Sequence, residues 1–325
     1  MRLLILLGFL LALVLTISVA MGETPLVARQ YIDAFTIPAS APAEILWSIR
    51  APRAVAAALV GAALGVAGAV MQGLLRNPLA DPGVLGVSSL AGLGAAAAIA
   101  SGLGTTPGVI EFAALAGALA AGAIVAVLAA RLREPETLIL FGVSLSAAGG
   151  ALTALVFNLS PSPIATAEVL NWLMGSVANR DWRDIAAAIG PAAIGTALCA
   201  YSARGLRMLA LGEETASLSG LPMARLRTCA VAGAALLTGA AVAIAGVIGF
   251  VGLAAPHLTR RAVSDDPART LAPSALVGAI LLVAGDLAAR LIPTDEELKL
   301  GVITALVGAP VFALVAWRAS RSWRT

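Results

Sequence analysis

Long apolar runs separated by short polar breaks constrain this chain more than any other feature. The runs lie near residues 3–21, 54–74, 84–101, 108–130, 137–157, 185–203, 229–246, 248–259, 271–291 and 301–317. Since about 20 apolar residues in a helix cross the hydrocarbon core of a bilayer, these runs predict an all-α, polytopic membrane protein of about ten transmembrane helices. The run at 248–259 is short and interrupted by glycine and proline, so we expect it inside the protein or beside a cavity.

Composition agrees with this prediction. Of the 325 residues 60% are hydrophobic and only 12% are charged, which is too little charge to cover a water-soluble domain. We therefore expect one transmembrane domain over residues 1–325, in contact with the lipid bilayer. The first run follows Arg2 and is longer than the apolar region of a typical signal peptide, so we expect it to be retained as a helix.

The basic residues predict the orientation of the chain. With the N-terminus in the cytoplasm, about two-thirds of the 21 Lys and Arg residues fall on the cytoplasmic side, as the positive-inside rule requires. We expect a multi-pass protein of the bacterial inner membrane with both termini in the cytoplasm. The arginines are scattered between apolar runs, so nucleic acid is not an expected partner.

A transporter needs an energy source, and the sequence holds no ATP-hydrolysing motif. A P-loop requires GxxxxGK[ST], but the sole lysine, Lys299, stands between two leucines. We therefore expect no enzymatic activity and no cofactor here. The alternative is an ion gradient, which usually needs a carboxylate within the membrane. Asp286 is the best candidate, although Arg290 four residues later favours a structural ion pair.

The predicted cytoplasmic loop at 204–228 has the features of a docking surface. Glycine and proline divide it into two short helix-forming stretches. Glu213 and Glu214 open one of them, where the positive end of a helix dipole favours negative charge. Ala216, Leu218 and Leu221 add apolar contacts that a solvated linker would not need. A plain surface loop is the alternative interpretation.

Five stretches resemble the permease family of the ABC importers for iron-siderophores, haem and vitamin B12. They are RAPR at 50–53, QGLLRNPLADPGVLGVSS at 72–89, LGEETASLSGL at 211–221, GVIGFVGLAAPHLTR at 246–260 and GVITALVGAP at 301–310. They occur in the family's order and, with the apolar runs between them, cover nearly the whole chain. The resemblance implies the type II ABC importer permease fold.

The same resemblance implies partners and a path. It implies a homodimer with the translocation path along its axis, two cytoplasmic ATP-binding cassette subunits that bind ATP and Mg²⁺, and a periplasmic substrate-binding protein. The function so implied is ATP-driven import of a metal chelate from periplasm to cytoplasm by alternating access. An iron-siderophore is the first expectation, with haem and cobalamin close behind. An ion-gradient-driven secondary transporter remains the alternative, and a non-transporting scaffold would explain the hydropathy but not the loop motifs.

The resemblance also implies roles for particular residues of this chain. The residues expected to contact the ATPase are Gly212, Glu213, Glu214, Ala216, Leu218 and Gly220. The residues expected to receive carboxylates of the binding protein are Arg50, Arg53 and Arg290, whose guanidinium forks suit bidentate pairing. The residues expected near the inner gate of the path are Asn77, Val87, Ser88 and Ser89.

Overall fold

The computed structural model describes the backbone of residues 1–322 apart from 23, 39, 132–134, 161 and 293–296. Within this part the chain is helical and contains no β-strand. The α-helices are α1 (Arg2–Ala20), α2 (Ala28–Thr36), α3 (Ala41–Glu44), α4 (Ala51–Leu75), α5 (Val87–Ala100), α6 (Val109–Arg131), α7 (Pro135–Leu159), α8 (Pro163–Leu173), α9 (Trp182–Leu209), α10 (Glu213–Leu218), α11 (Met223–Ala245), α12 (Val251–Arg260), α13 (Pro267–Leu291) and α14 (Leu300–Ser322). A π-helical turn, Ile45–Arg50, joins α3 to α4.

Each of the ten predicted runs coincides with one helix of the structure. In the described part, 7 helical stretches are long and apolar enough to cross a membrane: α1, Ala41–Leu75, α6, Thr137–Leu159, α9, α11 and α13. The other three runs correspond to the shorter α5 and α12 and to α14. The prediction of an all-α, polytopic fold is confirmed.

Helix boundaries differ most around the predicted loop at 204–228. Helix α9 continues to Leu209 and α11 begins at Met223, so both helices extend past the apolar runs that predicted them. The extensions carry arginines, which lower the hydropathy but are good helix formers. Hydropathy therefore marks where a helix leaves the lipid, not where the helix ends.

Helix α4 forms the centre of the bundle and is buried along most of its length. It packs most extensively against α13, and also against α11 and α12. Three glycines of α4, Gly61, Gly65 and Gly68, lie against backbone carbonyls of neighbouring helices, where a Cβ atom would collide. Without side chains in the way, the helix backbones approach closely enough for strong van der Waals packing in lipid.

The short predicted run at 248–259 lies inside the protein, as expected. Residues 246–250 are not helical, and Phe250 has a positive φ of 67°. Helix α12 follows and packs between α4 and α13. Its Thr259 hydroxyl lies 3.1 Å from the Ser274 hydroxyl of α13. Surrounding helices thus shield this interrupted backbone from lipid, where unpaired peptide groups would be costly.

Substitution of a glycine in the α4 seam tests this packing. We expect Gly65→Val to lower the free energy of unfolding by at least about 2 kcal/mol, because the side chain must displace the backbone carbonyl of Ser274. Gly8→Val in α1 is the matched control, because Gly8 faces open space. Thermal unfolding of the purified chain in detergent measures both variants. Equal midpoints for the two would contradict the proposed close packing.

Candidate functional site

The bundle has two chemically different ends. One end, here called the coupling-loop end, carries the last turns of α4 and α9, the short helix α10 and the first turns of α11 and α13. The opposite end carries the last turns of α1 and α13 and the first turns of α4 and α9. Ion pairs show which helix termini lie together. At the coupling-loop end, for example, Arg207 near the end of α9 lies 2.9 Å from Asp266, directly before α13.

Residues 210–222, the coupling loop, have a backbone that depends on two glycines. Gly212 has φ 113° and ψ 146° immediately before α10, a conformation that side chains strongly disfavour. Gly220 has φ 79° just after α10. The Leu221 N–H donates to the Ala216 carbonyl at 3.1 Å, and Ala216 is only 1% exposed. These contacts fold the loop into a defined helix against α9.

The two glutamates at the start of α10 have different environments. The Glu213 carboxylate lies 2.6 Å from the guanidinium of Arg227 on α11, so it holds the loop to the bundle. Glu214 is exposed. Leu218 is 84% exposed and Leu211 is 74% exposed. The coupling loop therefore presents an acidic group beside two leucines on a braced surface.

Leu211 is not among the expected contact residues, although its position in the sequence could have indicated an exposed apolar contact. It is an apolar residue directly before a loop glycine, outside any apolar run. Arg227 was missed because it lies 14 residues from Glu213, and only the tertiary structure brings the two together. Of the expected contacts, Glu214 and Leu218 lie on the exposed face of the coupling loop, whereas Glu213 and Ala216 brace it.

A cleft of about 220 Å³ lies beside the coupling loop. Its lining includes Ala210 at the start of the loop, Arg76 at the end of α4, Arg260 at the end of α12 and Asp265 after α12. The Arg260 guanidinium donates a hydrogen bond to the side-chain oxygen of Gln72 on α4. The cleft thus joins the coupling loop to the termini of α4 and α12.

The residues expected near the inner gate follow α4 at the same end. The Asn77 side chain accepts a hydrogen bond from the Leu79 N–H at 2.9 Å, which shapes the turn. Val87 is 2% exposed, and Ser88 and Ser89 are half-buried on the first turn of α5. The structure brings all four residues to one place, and their gating role stays a prediction.

Asp81 lies in the same turn and caps it. Its Oδ1 accepts a hydrogen bond from the Gly83 N–H at 2.7 Å, and a Cβ on Gly252 of α12 would contact its Oδ2. Burial raises the pKa of Asp81 to about 6, and the Gly83 hydrogen bond only partly opposes this. The turn thus contains a carboxyl group that is neutral in mild acid and charged above it.

At the opposite end, the Asp286 side chain is 1% exposed and lies between two arginines. Arg53 of α4 donates to it from Nε at 3.0 Å and from Nη2 at 2.8 Å. Arg290 Nε lies 3.2 Å from its other oxygen, so the expected Asp286–Arg290 ion pair is confirmed. Arg53 also donates to Glu297, from Nη1 at 3.1 Å. The network joins α4, α13 and the segment before α14.

Arg50 and Arg290 also bind the last turn of α1. Arg50 Nη1 donates to the Ala20 carbonyl at 2.7 Å. Arg290 Nη1 donates to the Met21 carbonyl at 3.1 Å, and its Nη2 donates to the Ser18 hydroxyl at 2.6 Å. Positive charge at a helix C-terminus is favourable. Arg50 and Arg290 are thus buried and Arg53 is partly buried. All three connect helices of the bundle, and a docking role for them stays a prediction.

An apolar cavity of about 590 Å³ also opens towards the opposite end. Its lining includes Leu173 and Met174 after α8, Val247 in the non-helical segment, and Gly301 and Leu306 of α14. None of the described residues that line it is charged. The cavity is suited to apolar surface, not to a tightly bound ion.

The described residues thus form a helical bundle of a polytopic membrane protein, with a braced, exposed loop at one end and an uncharged cavity towards the other, an architecture that suits a transport permease. Three comparisons with known proteins agree. Residues 10–318 match the model of the FecCD transport family. The chain belongs to the FecCD transport family, and it is a permease of the ABC importer class.

The most similar relatives and a solved structure cover most of the chain. The "uncharacterized ABC transporter permease protein YvrB" of Bacillus subtilis is 42% identical over 87% of this chain and 81% of its own length. The vitamin B12 import system permease protein BtuC of Shigella flexneri is 39% identical, covering 85% of this chain and 84% of its own. The cobalamin import system permease protein BtuC of Halobacterium salinarum is 42% identical over 86% and 74%. A metal-chelate type ABC transporter in an inward-facing conformation superposes with a TM-score of 0.85 at 30% identity, over 97% of this chain and 98% of that one.

Removing the charge of Asp286 tests the buried network. We expect Asp286→Asn to lower the free energy of unfolding by about 3 kcal/mol or more, because it leaves Arg53 and Arg290 without their shared counter-charge. The control is Glu111→Gln, which removes the partly exposed Glu111–Arg180 pair (3.3 Å) and should change stability by less than about 1 kcal/mol. Denaturant titration in mixed micelles measures both. Similar effects would show that the buried network is not a stabilising element.

The raised pKa of Asp81 predicts a pH dependence of stability. The folded state binds this proton more tightly than the unfolded state, so the contribution of Asp81 to stability is complete below its ordinary pKa of 3.8 and is lost as the pH rises through about 6. Asp81→Asn stays neutral, so it should gain thermal midpoint relative to wild type between pH 5 and pH 7.5. Glu214→Gln, at an exposed carboxylate, is the control. A constant difference between Asp81→Asn and wild type across this range would refute the assignment.

Proposed function

We propose that this chain is the membrane conduit of an ATP-driven importer and that ATP is hydrolysed on separate cytoplasmic subunits docked at the coupling loop. The observation that carries the proposal is the geometry of α10. Its exposed face presents Glu214 and Leu218, while the Glu213–Arg227 ion pair fixes its position. A surface that presents an exposed leucine and is held in a fixed position is suited to a protein partner.

The same geometry supports a mechanism of coupling. Helix α10 is tied by the Glu213–Arg227 pair to α11, which packs on α4, α6 and α9 in the bundle. Movement of docked ATPase subunits on binding nucleotide would therefore move helices and not only a loop. Such movement can favour the inward-facing or the outward-facing state. The turn with Asn77, Val87, Ser88 and Ser89, at the same end, is our proposed inner gate.

The proposed assembly is a homodimer with two ATP-binding cassette subunits and a periplasmic substrate-binding protein, in the bacterial inner membrane with both termini in the cytoplasm. The orientation is supported by the excess of basic residues on the side of the coupling loop, about two-thirds of the 21 Lys and Arg residues. Since Arg50, Arg53 and Arg290 lie at the opposite end, a binding protein would meet the bundle above the network that holds α1, α4 and α13.

We propose a metal chelate of the vitamin B12 kind as the substrate. The support is the naming of two of the relatives as vitamin B12 or cobalamin permeases, together with the uncharged lining of the cavity beside Met174 and Val247. Iron-siderophores and haem are the competing chelates. An ion-coupled mechanism has less support, because Asp286 contacts two arginines and is charge-compensated within the protein.

Substitution of the exposed leucine tests the docking proposal. We expect Leu218→Ser to weaken binding of the partner ATPase roughly tenfold, by removing an apolar contact worth about 1.5 kcal/mol. Leu103→Ser, at an exposed leucine on the opposite end, is the matched control and should leave binding unchanged. Affinity is measured between the purified ATPase and the permease in nanodiscs, together with ATP hydrolysis. Equal effects of the two variants would rule out docking through α10.

The substrate is tested separately, in proteoliposomes that contain the permease and ATPase. Candidate binding proteins are loaded with cobalamin, an iron-siderophore or haem, and ATP hydrolysis is measured. The proposal expects the greatest stimulation with cobalamin. Stimulation by another chelate alone would replace the substrate assignment while leaving the docking proposal intact. Uptake driven by an ion gradient without nucleotide would overturn the proposed function.

A further inference from the structure

A second cavity, which the transport mechanism does not use, opens at the opposite end between α6, α9 and α11. Its volume is about 550 Å³. The floor is apolar and includes Leu115 of α6, Ala188 and Pro191 of α9, and Ala243 and Ile244 of α11. We call it the interfacial cleft. Three helices diverge here around small side chains, so their own packing leaves the floor uncovered.

Among the residues that the structure describes, Arg183 and Asp181 at the mouth of the cleft form no close ion pair, and they attract each other only at longer range. The Arg183 guanidinium is exposed and forms no ion pair with the residues that the structure describes. Asp181 accepts backbone hydrogen bonds from Arg183 (2.7 Å) and Asp184 (3.0 Å) through one oxygen. The hydrogen bond from Asp184 and then that from Arg183 lower the pKa of Asp181, so it is ionised at neutral pH.

The other charged groups at the mouth are paired with one another. Arg180 lies 3.3 Å from the Glu111 carboxylate and 3.9 Å from that of Asp184. One arginine that faces two carboxylates leaves one uncompensated negative charge beside Arg183 and Asp181, which favours a cationic group of the ligand at the mouth. A ligand that matches the mouth carries a positive and a negative group a short distance apart.

A backbone acceptor lies on the wall of the cleft, about 9 Å along α9 from Asp181. Pro191 is inside α9 and has no N–H to donate to the carbonyl of Ala187, four residues earlier. Ala187 lines the cleft and is exposed. Its carbonyl is thus available to a hydrogen-bond donor from outside the helix.

Aromatic residues place the mouth at the membrane surface. The Trp182 indole N–H donates to the Trp47 carbonyl at 2.9 Å, and Phe112 beside the mouth is 74% exposed. Tryptophan is enriched at the level of the lipid headgroups. The charged mouth therefore lies at headgroup depth and the apolar floor below it, at the depth of the acyl chains.

We propose that the interfacial cleft binds a phospholipid with a zwitterionic, primary-amine headgroup, of the phosphatidylethanolamine class. Its phosphate pairs with Arg183, its ammonium donates to Asp181, and an acyl chain covers the floor. A quaternary ammonium has no N–H to donate, and an anionic headgroup meets the Asp181 charge. The lipid fills the space between α9 and α11, the two helices that flank the coupling loop.

Native mass spectrometry of the delipidated full-length chain tests this proposal. The probes are phosphatidylethanolamine, phosphatidylcholine and phosphatidylglycerol with identical acyl chains. We expect one phosphatidylethanolamine to bind per chain, roughly tenfold more tightly than either of the other lipids. The difference corresponds to one charge-assisted hydrogen bond, which the other two headgroups cannot form. Equal binding of the three lipids, or preference for phosphatidylglycerol, would overturn the proposal.

Two variants locate the site. Arg183→Gln should weaken phosphatidylethanolamine binding roughly tenfold, whereas Arg29→Gln, at an exposed arginine on the same end, should not. Ala187→Trp fills the mouth from an exposed position and should reduce binding of every lipid while the thermal midpoint stays that of a folded chain. Wild-type binding in both Arg183→Gln and Ala187→Trp would mean that only bulk lipid is bound, and the proposal would fail.

Discussion

The structure depends on the absence of water from the bilayer core. A peptide group with no partner there is costly, so each crossing segment satisfies its own hydrogen bonds as a helix. Because lipid is as apolar as leucine, burial of apolar side chains contributes little to holding the helices together, and close packing has to do so. The glycines of α4 provide this packing: Gly61, Gly65 and Gly68 bring its backbone against α13 and α12. Helix α12 can be short and follow a non-helical segment only because these neighbours enclose it.

Charged groups are used differently at the two ends. In the Asp286 network at one end, the charges are shielded from solvent and paired, and they hold α1, α4, α13 and the segment before α14 together. At the coupling-loop end, the Glu213–Arg227 pair braces a short helix whose remaining surface is exposed. One arrangement fixes the bundle, and the other keeps a contact surface in position without covering it. This division explains why Asp286 is a poor candidate for ion coupling and α10 a good one for docking.

Much of the site could be predicted from residue type and spacing. Glycine at 212 and 220 indicated the limits of a short helix, and the structure has α10 between them. The Asp286–Arg290 pair followed from a spacing of four residues. The partners of Arg53 and Glu213 could not be predicted, because Arg53 is 233 residues from Asp286 and Glu213 is 14 from Arg227. The burial of Arg50 was also missed, since its acceptors are backbone carbonyls, which leave no trace in the side-chain pattern.

By itself the sequence determined that the chain spans a membrane, that ten apolar segments form helices, and that it contains no P-loop for ATP hydrolysis; it did not predict α2, α3 and α8, which lie outside the apolar runs. These properties follow from hydropathy, length and short motifs, which act locally along the chain. Only the tertiary structure decided which arginines are buried, which face of the coupling loop is exposed, and where helices separate enough to leave cavities. The physical reason is that these properties depend on contacts between helices distant in sequence, and in lipid such contacts are set by the fit of small side chains and backbone, which hydropathy does not record.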